Sequence, residues 1–229
     1  MSEYIIYKRK SIRRYKPLPL EEAFLVGLRT FIDDAEPLFP SIRYQALLRT
    51  RDEPGTGKAP HDLVFYSEKK EGALENIGYI GQKVNLYLAA HGIGACWHME
   101  RPRGFRMGGL HYAVSMVFGR ADEPLLREKE QFARKSLAEI SEGTDCRIEA
   151  ARLAPSALNL QDWFFVARYG RIDCYRKRYG PFLRPLLGRF SRINIGIAIC
   201  HVAECTQDFH FTVDSVPERN GWIYVGTAR

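Results

Sequence analysis

Two long helical patterns that open on the same tripeptide place the strongest constraint on the fold of this chain. The first pattern runs from Gly72 to His91 and has apolar residues along one face. Its tripeptide, Asn76-Ile77-Gly78, lies near its start. The second, Ile193 to Glu204, is opened by Asn194-Ile195-Gly196. Each helical stretch is followed by a strand pattern. A recurring order of this kind indicates a diverged internal duplication.

The remaining patterns alternate between helix and strand in an order that favours an α+β fold. They run along the chain as a helix at Leu18–Ala35, strands in SIRYQALL, DLVFYSE, IGACWHM and YAVSMVFG, a helix at Arg147–Leu153, a strand at Trp163–Arg168, and strands in FHFTVD and WIYVG. This order predicts antiparallel-rich mixed sheets covered by helices. We expect a first half at residues 1–138 and a second at 139–229, packed as one unit.

Composition and terminal sequence exclude several classes of protein. The chain is 45% hydrophobic and 27% charged, which does not favour long disorder. Its longest apolar run, Ile193 to Cys200, is interrupted by Asn194 and Gly196 and is too short to span a membrane. The N-terminus, MSEYIIYKRKS, lacks the order of a secretory signal. We therefore expect a cytoplasmic protein with no membrane partner.

Common catalytic and metal-binding motifs are also missing from the sequence. The five cysteines include no C-x-x-C pair and the six histidines no H-E-x-x-H motif, so no metal site is predicted. GIGACW lacks the third glycine of a dinucleotide fingerprint and follows a helix. Ser156 lacks the G-x-S-x-G context of a hydrolase nucleophile. Cys96 and His98 share a strand face, but a structural cysteine is the commoner case.

Basic residues give the chain a net charge of +7 and cluster in two segments, YKRKSIRRYK near the start and LRPLLGRFSR near position 187. Such clusters are most often solvated faces. One alternative treats the first segment as a nucleic-acid arm interleaved with Tyr4, Tyr7 and Tyr15. It predicts RNA affinity that falls steeply with salt and no bound chromophore.

Three segments together resemble a known family. Arg9–Tyr15 is RKSIRRY, Ala89–Trp97 is AAHGIGACW, and Ala154–Trp163 is APSALNLQDW. They resemble the R-R-S-x-R-x-[FY], A-A-x-x-L-G-x-x-x-W and A-P-S-x-x-N-x-Q-P-W motifs of nitroreductase-like FMN flavoproteins, over most of the chain. The third motif follows the long helix instead of preceding it. That order resembles a subgroup built as a fused, diverged pseudo-dimer.

The resemblance implies a nitroreductase-like fold and an FMN-dependent oxidoreductase. Hydride would pass from NADH or NADPH to nitroaromatic, quinone or similar small-molecule acceptors. FMN carries that chemistry, so no acid or base residue is assigned. A monomer is expected, with a homodimer left open. The alternative within the same family is a flavin-binding protein with no reductase turnover or with other flavin chemistry.

The resemblance also implies which residues bind FMN. Arg9 and Arg13 would clamp the phosphate, with Lys10 as a point charge, Ser11 as a hydroxyl donor and Arg134 as a further cation.

The ring of FMN would be held by main chain at two glycines and by a polar turn. The residues implied for it are Gly92, Gly94, Pro155, Ser156, Ala157, Asn159 and Gln161. Ser156 and Asn159 would hydrogen-bond the ring edge, and Pro155 would stiffen the turn. Three features depart from the family pattern: Leu160, Asp162 and the segment HMERPRGF after Trp97. They leave the wall that faces the substrate unassigned.

Overall fold

The computed structural model describes residues 2–51, 58–99 and 107–229 and divides into two compact units. Unit 1 comprises Met1–Ala73 and Ile80–Lys129, and unit 2 comprises Leu74–Tyr79 and Glu130–Arg229. The first turns of one long helix are therefore grouped with the second unit.

Unit 1 is built on an antiparallel sheet, which in the described residues has four strands in the order β1-β2-β4-β3. The strands are β1 (Tyr44–Thr50), β2 (His61–Ser67), β3 (Gly94–His98) and β4 (His111–Gly119). Its helices are α1 (Ser2–Ile6), α2 (Glu22–Asp33) and most of α3 (Ala73–Ala90). Every residue of the central strand β2 is buried, so the core of this unit lies along that strand.

Unit 2 is built on a second sheet, which in the described part of the chain has the strand order β5-β6-β7-β9-β8. The strands are β5 (Ser141–Glu142), β6 (Trp163–Arg168), β7 (Arg171–Lys177), β8 (Phe211–Thr212) and β9 (Trp222–Ala228). The β5–β6 pair is parallel and the other pairs are antiparallel. The helices are α4 (Leu137–Ile140), α5 (Arg147–Arg152) and α6 (Arg184–Glu204). The predicted α+β class with antiparallel-rich sheets is confirmed.

The two Asn-Ile-Gly tripeptides meet inside unit 2. A Cβ on Gly78 would overlap the carbonyl oxygen of Ile193, and a Cβ on Gly196 would overlap that of Glu75. Only glycine permits the backbones of the two helices to come this close. The segment of α6 from Ile193 to Val202 is buried throughout, which places these tripeptides in the core of the unit.

Strand β7 and the first nine residues of helix α6, both in unit 2, do not appear among the sequence patterns. Strand β7 pairs with β6 through a tight turn at Tyr169 (φ 51°) and Gly170 (φ 74°). Helix α6 begins at Arg184, nine residues before the predicted start at Ile193, with Pro185 in its first turn where proline is well tolerated. Both segments are rich in Arg and Lys, which hides their periodicity. By contrast, β6 has the predicted bounds.

The described residues contain no helix that is both long and apolar enough to cross a membrane. Within the same part of the chain, no three or more His, Cys, Asp or Glu side chains come together in an arrangement that could hold a metal ion. The five cysteines are free thiols.

Candidate functional site

The basic segment of unit 1 is held against strand β3. The backbone N–H of Ile12 donates to the carbonyl of Ala95 at 3.1 Å, and the Ile12 side chain is fully buried. A Cβ on Gly94 would lie 2.8 Å from the side chain of Ile12, so glycine at that position lets the segment approach the strand. The apolar Ile12 thereby anchors a segment whose other side chains are mostly cationic or hydroxylic.

The cations of this segment differ in their surroundings. Arg9 is only 1% exposed and its guanidinium lies 3.3 Å from the hydroxyl of Ser11. Arg13 is exposed, and its guanidinium has no ion-pair partner in the described residues. Lys10 forms an ion pair with Glu123 at 3.1 Å. The guanidinium of Arg13 therefore remains better suited than Lys10 to bind an added anion.

Glu123 organises the backbone of the same segment. Its carboxylate accepts the N–H groups of Arg13 at 2.8 Å and Arg14 at 3.1 Å, in addition to the ammonium of Lys10. The Arg13 N–H above all, then the Arg14 N–H and Lys10, lowers the pKa of Glu123 to about 2. Glu123 thus stays ionised at neutral pH and fixes the turn that presents Arg13.

Cys96 lies beside the same cations but is not an activated thiol. Burial raises its pKa, and the positive charges of Arg13 and Arg9 oppose that shift only in part. Because the thiolate is the reactive form, a thiol kept protonated at neutral pH does not suit nucleophilic chemistry. The structural interpretation of Cys96 is therefore the better one.

The two predicted glycines of unit 1 each have a reason in the fold. Gly92 follows the end of α3 with φ 74°, a conformation that favours glycine, and no atom of the described residues lies within 4 Å of the position of a Cβ. Gly94 is required by the packing of Ile12 described above. Neither reason depends on a ligand.

In unit 2, the polar turn before β6 has an unusual backbone. Leu158, Asn159 and Gln161 have φ values of 53°, 56° and 46°, and none of them is glycine. Left-handed conformations are uncommon for such residues and persist only where the surrounding structure holds them. The turn therefore needs specific partners to keep its shape.

Those partners form a hydrogen-bond network around Arg134. Its guanidinium donates to Oδ1 of Asn159 at 2.8 Å, and Nδ2 of Asn159 donates to the carbonyl of Ala133 at 2.9 Å. Oε1 of Gln161 accepts the N–H of Lys135 at 2.7 Å. The N–H of Gln161 donates to the hydroxyl of Ser156 at 3.0 Å. Residues predicted from separate motifs are thus brought together.

Asp162, a departure from the family pattern, fastens the turn to α6. Its carboxylate is 2% exposed and accepts Nδ2 of Asn194 at 2.8 Å and the hydroxyl of Tyr179 at 3.0 Å. Oδ1 of Asn194 in turn accepts the N–H of Ala157 at 2.9 Å. Burial, followed by the nearby charge of Asp162, raises the pKa of Tyr179, which keeps its hydroxyl a donor.

Asn194 and Tyr179 were not predicted as members of the turn. The repeated Asn-Ile-Gly tripeptide singles out Asn194, and no sequence signal singles out Tyr179. A further repeat is Arg-Lys-Ser, which occurs at residues 9–11 and again at 134–136. Ser136 caps α4 together with Glu139, whose carboxylate accepts the Ser136 N–H at 2.8 Å.

The predicted site residues fall into two sets, one in each unit. Those in unit 1 are Arg9, Lys10, Ser11, Arg13, Gly92 and Gly94, and those in unit 2 are Arg134, Pro155, Ser156, Ala157, Asn159 and Gln161. Pro155 is buried, whereas Asn159 is exposed. Most of the departing segment HMERPRGF, residues 100–105, lies outside the described residues.

The fold is that of nitroreductases. A solved structure described as a putative nitroreductase from Thermotoga maritima matches 99% of this chain and 91% of its own, with a TM-score of 0.67 and 20% identity. The family model described as "Putative TM nitroreductase" matches residues 3–205, and the chain belongs to that family. Membership assigns it to a family of oxidoreductases.

Other solved structures match about half of the chain. An FMN-dependent nitroreductase from Clostridium difficile matches 52% of this chain and 87% of its own, with a TM-score of 0.44 and 18% identity. An iodotyrosine deiodinase bound to FMN and 3-iodo-L-tyrosine matches 54% of this chain and 91% of its own, with a TM-score of 0.41 and 18% identity. No curated protein sequence matches the chain.

Proposed function

We propose that this protein is an FMN-dependent oxidoreductase that transfers hydride from NADH or NADPH to nitroaromatic, quinone or similar acceptors. Family membership supports the reaction class. The observation that carries the FMN assignment is the segment on which a buried Arg9, the hydroxyl of Ser11 and an exposed Arg13 are held against β3.

The donor set of this segment suits the phosphate of FMN. A phosphate monoester is close to dianionic at neutral pH, and guanidinium groups bind it through paired, charge-assisted hydrogen bonds. Arg9 is already positioned by burial and by Ser11, whereas Arg13 offers an exposed cation without a carboxylate in the described residues. Lys10 would contribute less because Glu123 neutralises it.

The turn of unit 2 would contact the flavin ring. The hydroxyl of Ser156 accepts the N–H of Gln161 and retains a proton that it would donate to a ring acceptor. The side-chain amides of Asn159 and Gln161 already bond within the turn, so their role would be to hold its shape and to position Arg134. When bound, FMN would supply the hydride chemistry.

The proposal includes an internal duplication, with the chain acting as a pseudo-dimer. The shared Asn-Ile-Gly and Arg-Lys-Ser tripeptides support it, as does the order of strands in the two sheets. A monomer in solution would then be sufficient for activity, and sedimentation of the active species tests this.

The first test is the visible absorption spectrum of freshly purified protein, in which we expect the two bands of oxidised flavin. Arg13→Glu should abolish FMN binding while circular dichroism remains that of the wild type, because an exposed cation without an ion pair contributes little to stability. Arg14→Glu is the matched control, since Arg14 is also exposed and adjacent. Wild-type FMN affinity in Arg13→Glu would remove Arg13 from the site.

The second test is steady-state kinetics with both substrates varied. Donor and acceptor that use one open face of the flavin in turn should produce parallel double-reciprocal lines, and intersecting lines would contradict this order. A yellow protein that oxidises neither NADH nor NADPH with any acceptor would instead indicate flavin binding without reductase turnover.

A further inference from the structure

An apolar surface that no element of the described residues covers lies at the start of α6 in unit 2. The side chains of Phe182, Leu183 and Leu186 are 95%, 53% and 63% exposed. Pro181 and Pro185, also exposed, lie beside them in sequence. We refer to Pro181–Leu186 as the apolar tip. Other exposed apolar side chains of this unit, such as Tyr169 and Val213, are distant from it in sequence and occur singly.

The apolar tip is an ordered structure. The carbonyl of Gly180 accepts the N–H groups of Leu183 at 3.1 Å and Arg184 at 2.9 Å, so the chain turns directly into the helix. Residues three and four apart lie on the same face of a helix. Leu186 and Leu187 therefore continue the apolar face toward Phe190. The backbone thus holds large apolar side chains in water at a substantial cost unless a partner covers them.

The sequence on both sides of the apolar tip carries charges of one sign. Between Tyr175 and Ala203 the sequence contains six Arg or Lys residues and no Asp or Glu. Two of them, Arg176 and Arg192, lie 3.2 Å and 3.9 Å from the carboxylate of Glu75. Arg178 and Arg184 are exposed and have no ion-pair partner among residues 2–51, 58–99 and 107–229.

We infer that the apolar tip, with Arg178 and Arg184, binds the surface of a membrane that contains anionic lipids. Interfacial segments insert apolar side chains at the boundary of the acyl chains while Arg and Lys bind the headgroups. An exposed apolar turn suits a bilayer, which accepts it without a preformed groove. The sequence-based expectation of no membrane partner came from the absence of a spanning segment, and interfacial binding requires none.

The inference is independent of FMN and of the reaction. It is tested with the full-length protein by co-sedimentation with phosphatidylcholine vesicles, with and without phosphatidylserine, at low and at physiological salt. We expect binding only with phosphatidylserine, and weaker binding as salt rises.

Two double variants separate the apolar and the charged contributions. Phe182→Ser with Leu186→Ser should weaken binding by more than about tenfold, because the inserted area is lost. Arg178→Gln with Arg184→Gln should weaken it by about fivefold for each charge removed. Tyr169→Ser removes an exposed aromatic side chain from another turn of unit 2 and should bind as the wild type does. Thermal unfolding of each variant verifies its fold.

Several results would overturn the inference. One is a wild-type protein that stays in the supernatant with phosphatidylserine vesicles at low salt. Another is full binding by the Phe182 and Leu186 double variant, because that would make the attraction purely electrostatic. A third is a raised KM for an apolar acceptor in that variant without vesicle binding by the wild type. The apolar tip would then cover a substrate.

Discussion

The two sheets of this protein share an order of strands but differ at their edges. In unit 1 the order is β1-β2-β4-β3, and in unit 2 the order β6-β7-β9-β8 has the same connections. The long helix α3 lies between β2 and β3 in the chain, and α6 lies between the corresponding strands β7 and β8. The β2–β4 pair shifts register between Phe65 and Tyr66, and the corresponding β7–β9 pair shifts register at a similar place, between Cys174 and Tyr175.

The difference concerns the outer edges of two corresponding strands, β1 in unit 1 and β6 in unit 2. In unit 2 the outer edge of β6 is covered by the parallel strand β5, through the pairs Ser141↔Phe165 and Glu142↔Val166. In unit 1 the outer edge of β1 has no paired strand in the described residues, and a cavity of about 450 Å³ lies between β1 and α2. The two sheets therefore share the pairing of their inner strands and differ at their edges.

The close approach of the two Asn-Ile-Gly segments adds a reciprocal feature. Gly78 faces the carbonyl three residues before Gly196, and Gly196 faces the carbonyl three residues before Gly78. Reciprocal contacts of this kind are characteristic of two-fold related elements. They support the proposed duplication independently of the strand order.

The largest expected effect is on this reciprocal contact. Gly196→Ala and Gly78→Ala should each lower the free energy of unfolding by about 3 kcal/mol, since a methyl group would overlap a helix carbonyl that cannot move freely. Urea denaturation measures both. Gly188→Ala is the control on the same helix, because its Cβ would meet only a flexible side chain, Arg184 Cγ at 3.4 Å. An unchanged free energy of unfolding in Gly78→Ala would contradict the reciprocal contact.

A smaller effect is expected at the covered edge of unit 2. Gly143 directly follows β5 with φ 79°, and its Cβ would overlap the carbonyl of Ala167. Gly143→Ala should cost about 2 kcal/mol, less than at Gly78, because the two-residue edge strand β5 can shift away from the overlap more easily than a buried helix can. Gly170→Ala, at φ 74° with open space around it, should cost about 1 kcal/mol because only backbone strain applies. Equal costs would mean that β5 is not tightly packed on β6.

The pH dependence of stability should distinguish β2 of unit 1 from the corresponding strand β7 of unit 2. His61 opens β2, where its Nε2 accepts the N–H of Leu20 at 2.8 Å, whereas β7 opens on Arg171. Burial lowers the pKa of His61 below its ordinary 6.5, and the charges of Asp62 and Glu22 oppose this only in part. The stabilisation by neutral His61 is thus present above pH 6.5 and is lost as the pH falls toward the lowered pKa.

Denaturation at about pH 7.5 and about pH 5.5 should accordingly show a loss of stability at the lower pH. In His61→Gln the loss should be smaller, although the variant is less stable overall. An unchanged pH dependence in the variant would assign the effect to another group.

The smallest expected effect is a difference in hydrogen exchange between the edges. The amides of Phe165 and Val166 in β6 should exchange more slowly than those of Leu47 and Leu48 in β1, because β5 covers the former. Mass spectrometry of peptides from the two strands measures this without mutation. Equal protection would show that the edge of β1 is covered as well.

Sequence patterns predicted the elements whose side chains follow a regular period. Helix α3 and strand β6 were placed within a few residues, because their apolar residues recur at helical or strand spacing. Strand β7 was missed because four of its seven residues are charged. Its Arg176 is buried, and the partner of its charge is Glu75, which lies 3.2 Å away in the folded chain and far away in the sequence.

The candidate site shows the same division. Local motifs in the sequence were enough to single out the basic segment and the polar turn as candidate binding residues, because such motifs consist of Arg, Ser and Asn at short, fixed spacings. Only the tertiary structure decided that Asn159 bonds Arg134 and that Asp162 is held by Asn194 and Tyr179. Such pairings depend on long-range packing, which brings together residues far apart in the chain and which no local spacing encodes.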